Sequence, residues 1–367
     1  MYFVRGLIGA GYQLQLITQG DGVLPPQDEY EGASMRRVPL QTDGNFLTQA
    51  IAFGQAVMAH VGSSPCYDLV HYRSIWSGLA LAQSKNKFGF KTLFEVNGLP
   101  SVELKYHYPG LRESGLLAKI REQELATLAL SDAIVCPSAV TRAYLASLGV
   151  PRERITVIHN GVSPKDFAPT LLPPRDDHIP VLLYVGTYAD WQGLETLIAA
   201  MPRVLAQQPA RLRIVGRGRG RQRKMLAKQI RKLGLDGHVM LEPAVPHHLV
   251  PEIIASADVC IAPLSLNDRN VTQGCCPIKV IECMAAGRPL VAANLPVVRE
   301  LAREDIDALF FAPNDPDDLA HQLLSILTDR ALGERLAASA AARASGELTW
   351  HEAQKKLLSV YARLLKE

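Results

Sequence analysis

The segment 263–294, PLSLNDRNVTQGCCPIKVIECMAAGRPLVAAN, limits the possible folds more than any other stretch. It follows an apolar run, Ala257-Asp258-Val259-Cys260-Ile261-Ala262, that reads as a buried strand. A polar, Gly-containing loop comes next. Pro277 then opens a helix, because proline suits the first helical position, where its missing N–H costs nothing. Gly287 stops that helix, and Pro289 opens another strand, Leu290-Val291-Ala292-Ala293. Strand, loop, helix and strand in this order make a phosphate-binding layout, with backbone N–H groups and the positive end of the helix dipole meeting at one point. Lys279 in the first turn adds a full charge there. Glu282, one turn on, is placed to accept hydrogen bonds from sugar hydroxyls. One cation for a diphosphate and one carboxylate for a ribose suit a nucleotide-sugar. A Lys and a Glu three apart on a helix also describe a solvated surface pair, so spacing alone leaves both readings open.

The chain has 367 residues, enough for about two domains at roughly 150 residues each. Its 48% hydrophobic and 20% charged residues are those of an ordinary globular protein. No apolar stretch reaches the ~18 residues of a membrane-spanning helix. The N-terminus has no basic region followed by an apolar core and cleavage site, so no secretory leader is expected. The six cysteines are Cys66, Cys136, Cys260, Cys275, Cys276 and Cys283. None forms a C-x-x-C pair, and Cys136 and Cys260 fall in strand patterns, which fits reduced thiols in a cytosolic protein. With no histidine at ligand spacing, Cys275-Cys276 is expected to pack, not to bind metal.

Ahead of the central segment the chain alternates strands and helices. Leu7, Ala10 and Gly11 read as the end of a helix and 12–18 as a strand. An α/β domain of this kind normally opens with a strand and a Gly-rich turn, so a preceding strand is expected to be missing. Strands follow at 35–38, 67–72, 92–96, 133–136 and 154–158. Helices are expected over 45–60 and 113–130, and from the Ser138 cap to 148. Arg73 and Ser74 close one strand where a helix begins, and Asn97-Gly98 close the next. The connection 99–110, with Glu103, Lys105 and His107, is long enough for a binding loop. Pro164, Pro169, Pro173, Pro174 and Pro180 make 163–180 a linker.

The second half repeats the rhythm. Strand 181–185 ends in Gly186-Thr187. Then come a loop at 188–193, a helix at 194–205, and a strand at 212–215 ending in Gly216-Arg217-Gly218. A basic helix to about 233, a strand at 239–241 and a helix at 248–255 lead to the central segment. A strand at 308–311 and helices from Pro316 to Leu365 finish the chain. This alternation implies parallel sheets with helices on both faces, whose ligands bind at the carboxyl ends of the strands. The run 211–232 holds ten Lys or Arg and no acid. It reads as a solvated helix face or as a contact for an anionic partner, a membrane surface or nucleic acid. No nucleic-acid-binding module accompanies it.

Several short motifs, taken in order, resemble glycosyltransferase family 4. They are Ser131-Asp132-Ala133-Ile134-Val135-Cys136-Pro137-Ser138, then Ile155-Thr156-Val157-Ile158-His159-Asn160-Gly161-Val162 ahead of Phe167. Tyr184-Val185-Gly186, Ile214-Val215-Gly216-Arg217-Gly218, Ala257-Asp258-Val259 and the run from Glu282 to Ala292 follow in the family's order. The resemblance implies an α/β GT-B fold, two Rossmann-like domains with parallel sheets facing across a cleft. It places an acceptor domain at 1–165, a nucleotide-sugar donor domain at 166–349, and the last helix, 350–367, back on the first domain. It also implies a retaining sugar transfer, in which the leaving diphosphate takes the acceptor's proton.

The sequence departs from that pattern where the family grips the donor. Thr187 and Gln192 stand where an Arg and a Lys are usual, and Gly274 where the first of two glutamates is usual; Glu282 is the second. Lys279 resembles the lysine of a subset with a Pro-x-Lys-x-x-Glu helix start. The loop residues Asp268, Arg269 and Asn270 are expected to replace the absent groups. On this resemblance Lys279, Glu282, Arg269 and Asn97 carry the reaction. Gly186, Thr187, Gln192, Gly216, Gly218, Asp268, Asn270, Gly274, Pro277 and Ile278 hold the donor. Arg73, Glu95 and Asn160 face the acceptor, and His71, His107 and His159 are equally structural or catalytic. The partners implied are a nucleoside-diphosphate sugar and a glycan, lipid-linked or small-molecule acceptor. No cofactor, protein-bound metal or nucleic acid is expected. The location implied is cytoplasmic, with peripheral contact at the inner face of the membrane. The alternatives are a decayed nucleotide-sugar-binding or scaffold relative, and a sugar-nucleotide epimerase, for which no acid/base set is evident.

Overall fold

The computed structural model describes residues 2–20, 22–39, 46–63, 66–111, 115–169 and 179–366. The chain divides into two units, one of residues 1–159 with 350–367 and the other of residues 160–349.

The first unit opens with α1 (Tyr2–Gly9), β1 (Gln15–Gly20), β2 (Gln27–Tyr30) and β3 (Ala33–Pro39). These strands form a sheet in the order β1-β3-β2, with β1 parallel and β2 antiparallel to β3. The polar strand β2, Gln27-Asp28-Glu29-Tyr30, has no alternating pattern and was not legible in the sequence; its pairing to β3 makes it a strand. Residues 12–14, expected to be strand, precede β1. Then come α2 (Phe46–Ser63), β4 (Leu69–Tyr72), α3 (Ile75–Phe88), β5 (Lys91–Glu95), α4 (Pro100–His107), α5 (Gly115–Leu130), β6 (Ala133–Cys136), α6 (Ala139–Ser147) and β7 (Ile155–Val157). β4-β5-β6-β7 is a second, parallel sheet. Ser74 and Ser138 cap α3 and α6, each accepting a backbone N–H with its side chain. Asp132 accepts from Thr92 N and Thr92 Oγ1 at the start of β5 and from Lys85 Nζ.

The connection 99–110 is not a loop. Its core is helix α4, started by Pro100 and capped from outside: Ser101 N donates to Glu124 Oε1 at 2.7 Å and Ser101 Oγ to Glu124 Oε2 at 2.5 Å. A fully buried carboxylate on α5 thus does the work of the missing N-cap side chain. The expected starts at Asn45 and Glu113, and the linker prolines Pro173 and Pro174, lie outside the described residues.

The second unit holds β8 (Val181–Thr187), α7 (Leu194–Leu205), β9 (Arg211–Arg217), α8 (Gly220–Lys232), β10 (Val239–Pro243), α9 (Val250–Ala255), β11 (Val259–Ala262), α10 (Ile278–Ala285), β12 (Leu290–Ala293), α11 (Pro296–Arg299), β13 (Leu309–Phe311), α12 (Pro316–Thr328) and α13 (Arg330–Glu347). The sheet order is β10-β9-β8-β11-β12-β13, with every pairing parallel. The strand order reverses between β8 and β11, so their carboxyl ends flank the crevice where such sheets take ligands. β11 and β12 are buried along their whole length, which explains their unbroken apolar sequence.

The chain then returns to the first unit as α14 (Trp350–Leu364). Leu357, Val360, Tyr361 and Leu364 of α14 and Leu7 of α1 pack on Leu93, Ala133, Val135 and Ile158 of the sheet. The other face holds a separate core around Phe94, Ile134, Leu128 and Leu145. Among the described residues no helix is long and apolar enough to cross a membrane.

Candidate functional site

In the second unit the site grows from the reversal point. β8 ends in Gly186-Thr187, and β11 runs into the segment that precedes α10. Within that segment Arg269–Gln273 form a π-helical turn. Pro277 is the N-cap of α10 and is buried, while Ile278 beside it is exposed. Lys279, in the first turn, points inward and is only 9% exposed. Its Nζ donates to Gln192 Oε1 at 2.6 Å and lies 3.8 Å from the centre of the Tyr184 ring. Tyr184 Oη donates to the Thr187 carbonyl at 2.6 Å. A Cβ on Gly186, whose φ is +150°, would come within 2.7 Å of Lys279 Nζ. Glycine there leaves room for the ammonium.

Burial pushes the Lys279 amine down to about 7, against the pull of Cys283, Glu282 and Cys275. Burial pushes the Glu282 carboxyl up, opposed by His247 and Lys279. His247 Nε2 lies 3.4 Å from Glu282 Oε1. The site therefore holds a lysine that gains or loses its proton near neutrality, beside a carboxyl whose charge is costly. An anion entering beside Lys279 would favour the charged amine.

The neighbouring loop corrects one expectation. Asn270 is fully buried, and its Nδ2 donates to the carbonyls of Trp191 at 2.9 Å and Ser265 at 2.8 Å. Its Oδ1 accepts from Arg269 Nη1 at 3.3 Å. Asn270 therefore holds the loop closed from inside the unit, and its fully buried side chain does not reach the surface to meet a sugar hydroxyl. Arg269 lies over the Trp191 ring at 5.1 Å, and Asp268 is half-buried at the start of the turn. Gly274 has φ 80° and ψ 169°, a region essentially confined to glycine. Gly216 and Gly218 are required by packing inside the unit: a Cβ would meet the Gly186 carbonyl oxygen at 1.7 Å and Tyr188 Cβ at 2.5 Å, respectively. Thr187 is exposed at the strand end.

Asn160, expected on the acceptor side with Arg73 and Glu95, lies in the second unit while those two lie in the first. Its backbone N–H donates to Cys276 Sγ at 3.3 Å and its Nδ2 to the Cys276 carbonyl at 3.1 Å. It holds the approach to α10.

In the first unit, Glu95 gathers the groups named from the sequence. Its carboxylate accepts from Asn97 Nδ2 at 2.8 Å and lies 3.1 Å from Arg73 Nε and 3.2 Å from His71 Nε2. His71 Nδ1 is 3.0 Å from Tyr361 Oη of α14. Burial alone raises the Glu95 carboxyl, but His71, Arg73 and Asn97 outweigh it and hold it at about 2. Glu95 is a fixed anion. Arg73, exposed and anchored to it, offers its free edge to solvent.

The basic helix α8 buries Leu226 and Ile230 and turns Arg221, Lys224, Lys228, Arg231 and Lys232 outward, all exposed. None of these five makes an ion pair among the described residues. Among the same residues no group of three or more His, Cys, Asp or Glu is arranged to hold a metal ion.

Sequence reasoning missed Tyr184 and His247. Tyr184 sits in an apolar strand and reads as core; His247 follows Pro246 in a short turn with no motif around it.

Residues 1–166 match the family model described as Glycosyltransferase Family 4, and residues 179–329 the one described as Glycosyl transferases group 1. A relative described as an uncharacterized glycosyltransferase, from Methanocaldococcus jannaschii, is 24% identical over 97% of this chain and 91% of its own length. A D-inositol 3-phosphate glycosyltransferase of Thermobispora bispora is 25% identical over 82% of this chain and 71% of its own. Among solved structures, sucrose-phosphate synthase from Thermosynechococcus elongatus superposes with a TM-score of 0.82 at 22% identity, covering 99% of this chain and 92% of that one. Anabaena HepE in complex with UDP and glucose superposes with a TM-score of 0.71 at 18% identity, covering 90% and 87%. At these identities the likeness to solved structures is one of fold.

Proposed function

This chain belongs to glycosyltransferase family 4 and has the GT-B fold, and from that premise we propose that it is a retaining enzyme moving a sugar from a nucleoside-diphosphate donor to a glycan, lipid-linked or small-molecule acceptor. The observation that carries the reading is Lys279, a buried amine in the first turn of α10 at the reversal point of the sheet. A departing diphosphate accumulates negative charge, and a cation held in a poorly hydrated site stabilises that charge without reorganising. The dipole of α10 points the same way. Glu282, braced by His247, is the acceptor for ribose hydroxyls. Gly186 supplies the open backbone beside the phosphates. HepE, of the same fold, is described in complex with UDP and with UDP-glucose, which supports a nucleotide-sugar donor. No cofactor or protein-bound metal is part of this reading.

On the acceptor side, Arg73 anchored by Glu95 suits an acceptor with anionic or hydroxyl groups, and Asn97 lies beside them. A lipid-linked acceptor brings the chain to the cytoplasmic face of a membrane. The five outward cations of α8 favour contact with anionic lipid, at about 1 kcal/mol per charge near such a surface. Vesicles rich in phosphatidylserine should co-sediment the wild type at low salt and lose it when Lys224, Lys228 and Lys232 are changed to Glu.

The deciding measurement is release of nucleoside diphosphate from a panel of nucleotide-sugars with acceptor present. Lys279→Met should lower kcat/KM by about 10²–10³-fold; near-normal turnover would sink the reading. Thr187, Gln192 and Gly274 stand where donor-gripping groups were expected, and this favours a second reading, a decayed nucleotide-sugar-binding relative. That reading expects nucleotide binding lost in Lys279→Met but no product release from the wild type.

A further inference from the structure

Lys279 does not hold its position alone. Its Nζ is 2.6 Å from Gln192 Oε1. That oxygen also lies 3.2 Å from Tyr184 Oη, and the Tyr184 ring closes the other side of the ammonium at 3.8 Å. The orientation of the carboxamide suits the charged lysine: an ammonium has only donors, so the oxygen of Gln192 faces it and the NH₂ does not. An ammonium withdrawn from water keeps its charge only if acceptors replace the water it lost. Gln192 supplies such an acceptor from the turn that follows β8. The Tyr184 hydroxyl is committed to the Thr187 carbonyl at 2.6 Å, which keeps the ring face toward the lysine.

We propose that Gln192 is a positioning residue that keeps Lys279 charged and aimed in the donor-free protein, and yields its hydrogen bond to the donor's diphosphate. The proposal rests on the preceding reading that a diphosphate binds beside Lys279. It gives Gln192 a role through the lysine instead of through the donor. A neutral acceptor is the chemistry that such an exchange needs. A carboxylate at 192 would pair with Lys279 and repel the diphosphate, whereas a residue without an acceptor would leave the ammonium unsolvated.

The other groups facing Lys279 are Glu282 and Cys283 on its own helix, with His247 behind Glu282. Cys275 and Arg269 face it from the segment before α10, and Tyr184 from β8. Glu282, Cys283 and Cys275 favour the charged amine, while burial and Arg269 oppose it, and burial is the largest of these. Substitution at 192 leaves all of them in place. The titration of Lys279 therefore isolates what Gln192 contributes.

The test uses the free protein first. The Lys279 amine is followed by nitrogen-15 NMR from pH 5 to 10 in the wild type, in Gln192→Met and in Gln192→Glu. Losing a hydrogen bond to a charged group should move the midpoint down by about one pH unit in Gln192→Met. The carboxylate of Gln192→Glu should move it up. Midpoints unmoved in both variants overturn the proposal, and if one variant fails to fold the other still decides it. Calorimetric titration with UDP, ADP and GDP follows. Charged-lysine fractions predict that Gln192→Met weakens nucleotide binding about tenfold at pH 8 and only about twofold at pH 6. Equal weakening at both pH values would mark Gln192 as a plain structural residue and overturn the proposal. If Lys279→Met binds nucleotide as well as the wild type, the functional reading fails instead, and the titration in the free protein still decides the role of Gln192.

Discussion

A buried lysine costs stability, and at Lys279 the cost has a sign that pH reveals. Its amine titrates near 7 in the folded chain and at 10.5 when unfolded, so between those values the unfolded chain binds the extra proton. The cost is fully present below pH 7, and stability climbs as pH rises toward 10. Lys279→Met should therefore be the more stable protein at pH 6, by on the order of 2 kcal/mol, with the gain shrinking at pH 8 and again at pH 10. Urea denaturation at the three values checks this; a difference independent of pH would mean that Lys279 is not buried as a charge. Such a residue is kept at a loss because something else needs it. The sequence made Lys279 and Glu282 legible through helix-start chemistry. It could not reveal that Asn270 spends its side chain on the Trp191 and Ser265 carbonyls, because a hydrogen-bond partner distant in the chain leaves no local signature. Gly274 was legible only as a missing glutamate. Its backbone shows why an added glutamate would be strained there, at about 1–3 kcal/mol for such conformations.

At the scale of elements, the most instructive error is α4. Residues 99–110 lack a good N-cap side chain and contain Pro100 and Pro109, so they read as a loop. The missing cap comes from Glu124, on α5. Glu124→Ala should cost about 1–3 kcal/mol, leaving the half-buried Ser101 N–H and hydroxyl without their acceptor, and should speed amide exchange over 102–107 before the rest of the unit. Exchange that rises uniformly would contradict this role. The short Ser131-Asp132-Ala133 and Ala257-Asp258-Val259 motifs served as family marks, and the structure gives them a physical reason. Asp132 accepts the Thr92 N–H at the start of β5, and Asp258 accepts the Val181 N–H at 2.7 Å at the start of β8. Each aspartate fixes the neighbouring strand. Strands such as β11 and β12 were legible because burial on both faces demands an unbroken apolar run, whereas β2 was not, because an exposed edge strand imposes no such demand.

For the whole molecule, the feature with the widest reach is α14, which closes one face of the first unit's sheet although the second unit lies between them in the sequence. Its Trp350 stacks on Tyr2 with ring centres 4.9 Å apart, so α1 and α14 cover that face together. Leu357 is 1% exposed, and Leu357→Ala should cost about 3 kcal/mol. Amide exchange should quicken in β5, β6 and β7 while β8–β13 are unaffected; equal quickening in both units would show that they unfold together. The same arrangement sets an order of events during synthesis. Residues 160–349 are continuous, so the second unit has all its parts once they have emerged. The first unit has its strands early but stays uncovered over Leu93, Val135 and Ile158 until residues 350–364 have been made. At about 5–20 residues per second that wait is roughly 10–40 s. Through it the earlier-made unit exposes apolar sheet to the cell, and this is where a chaperone, or a neighbouring nascent chain, would find it.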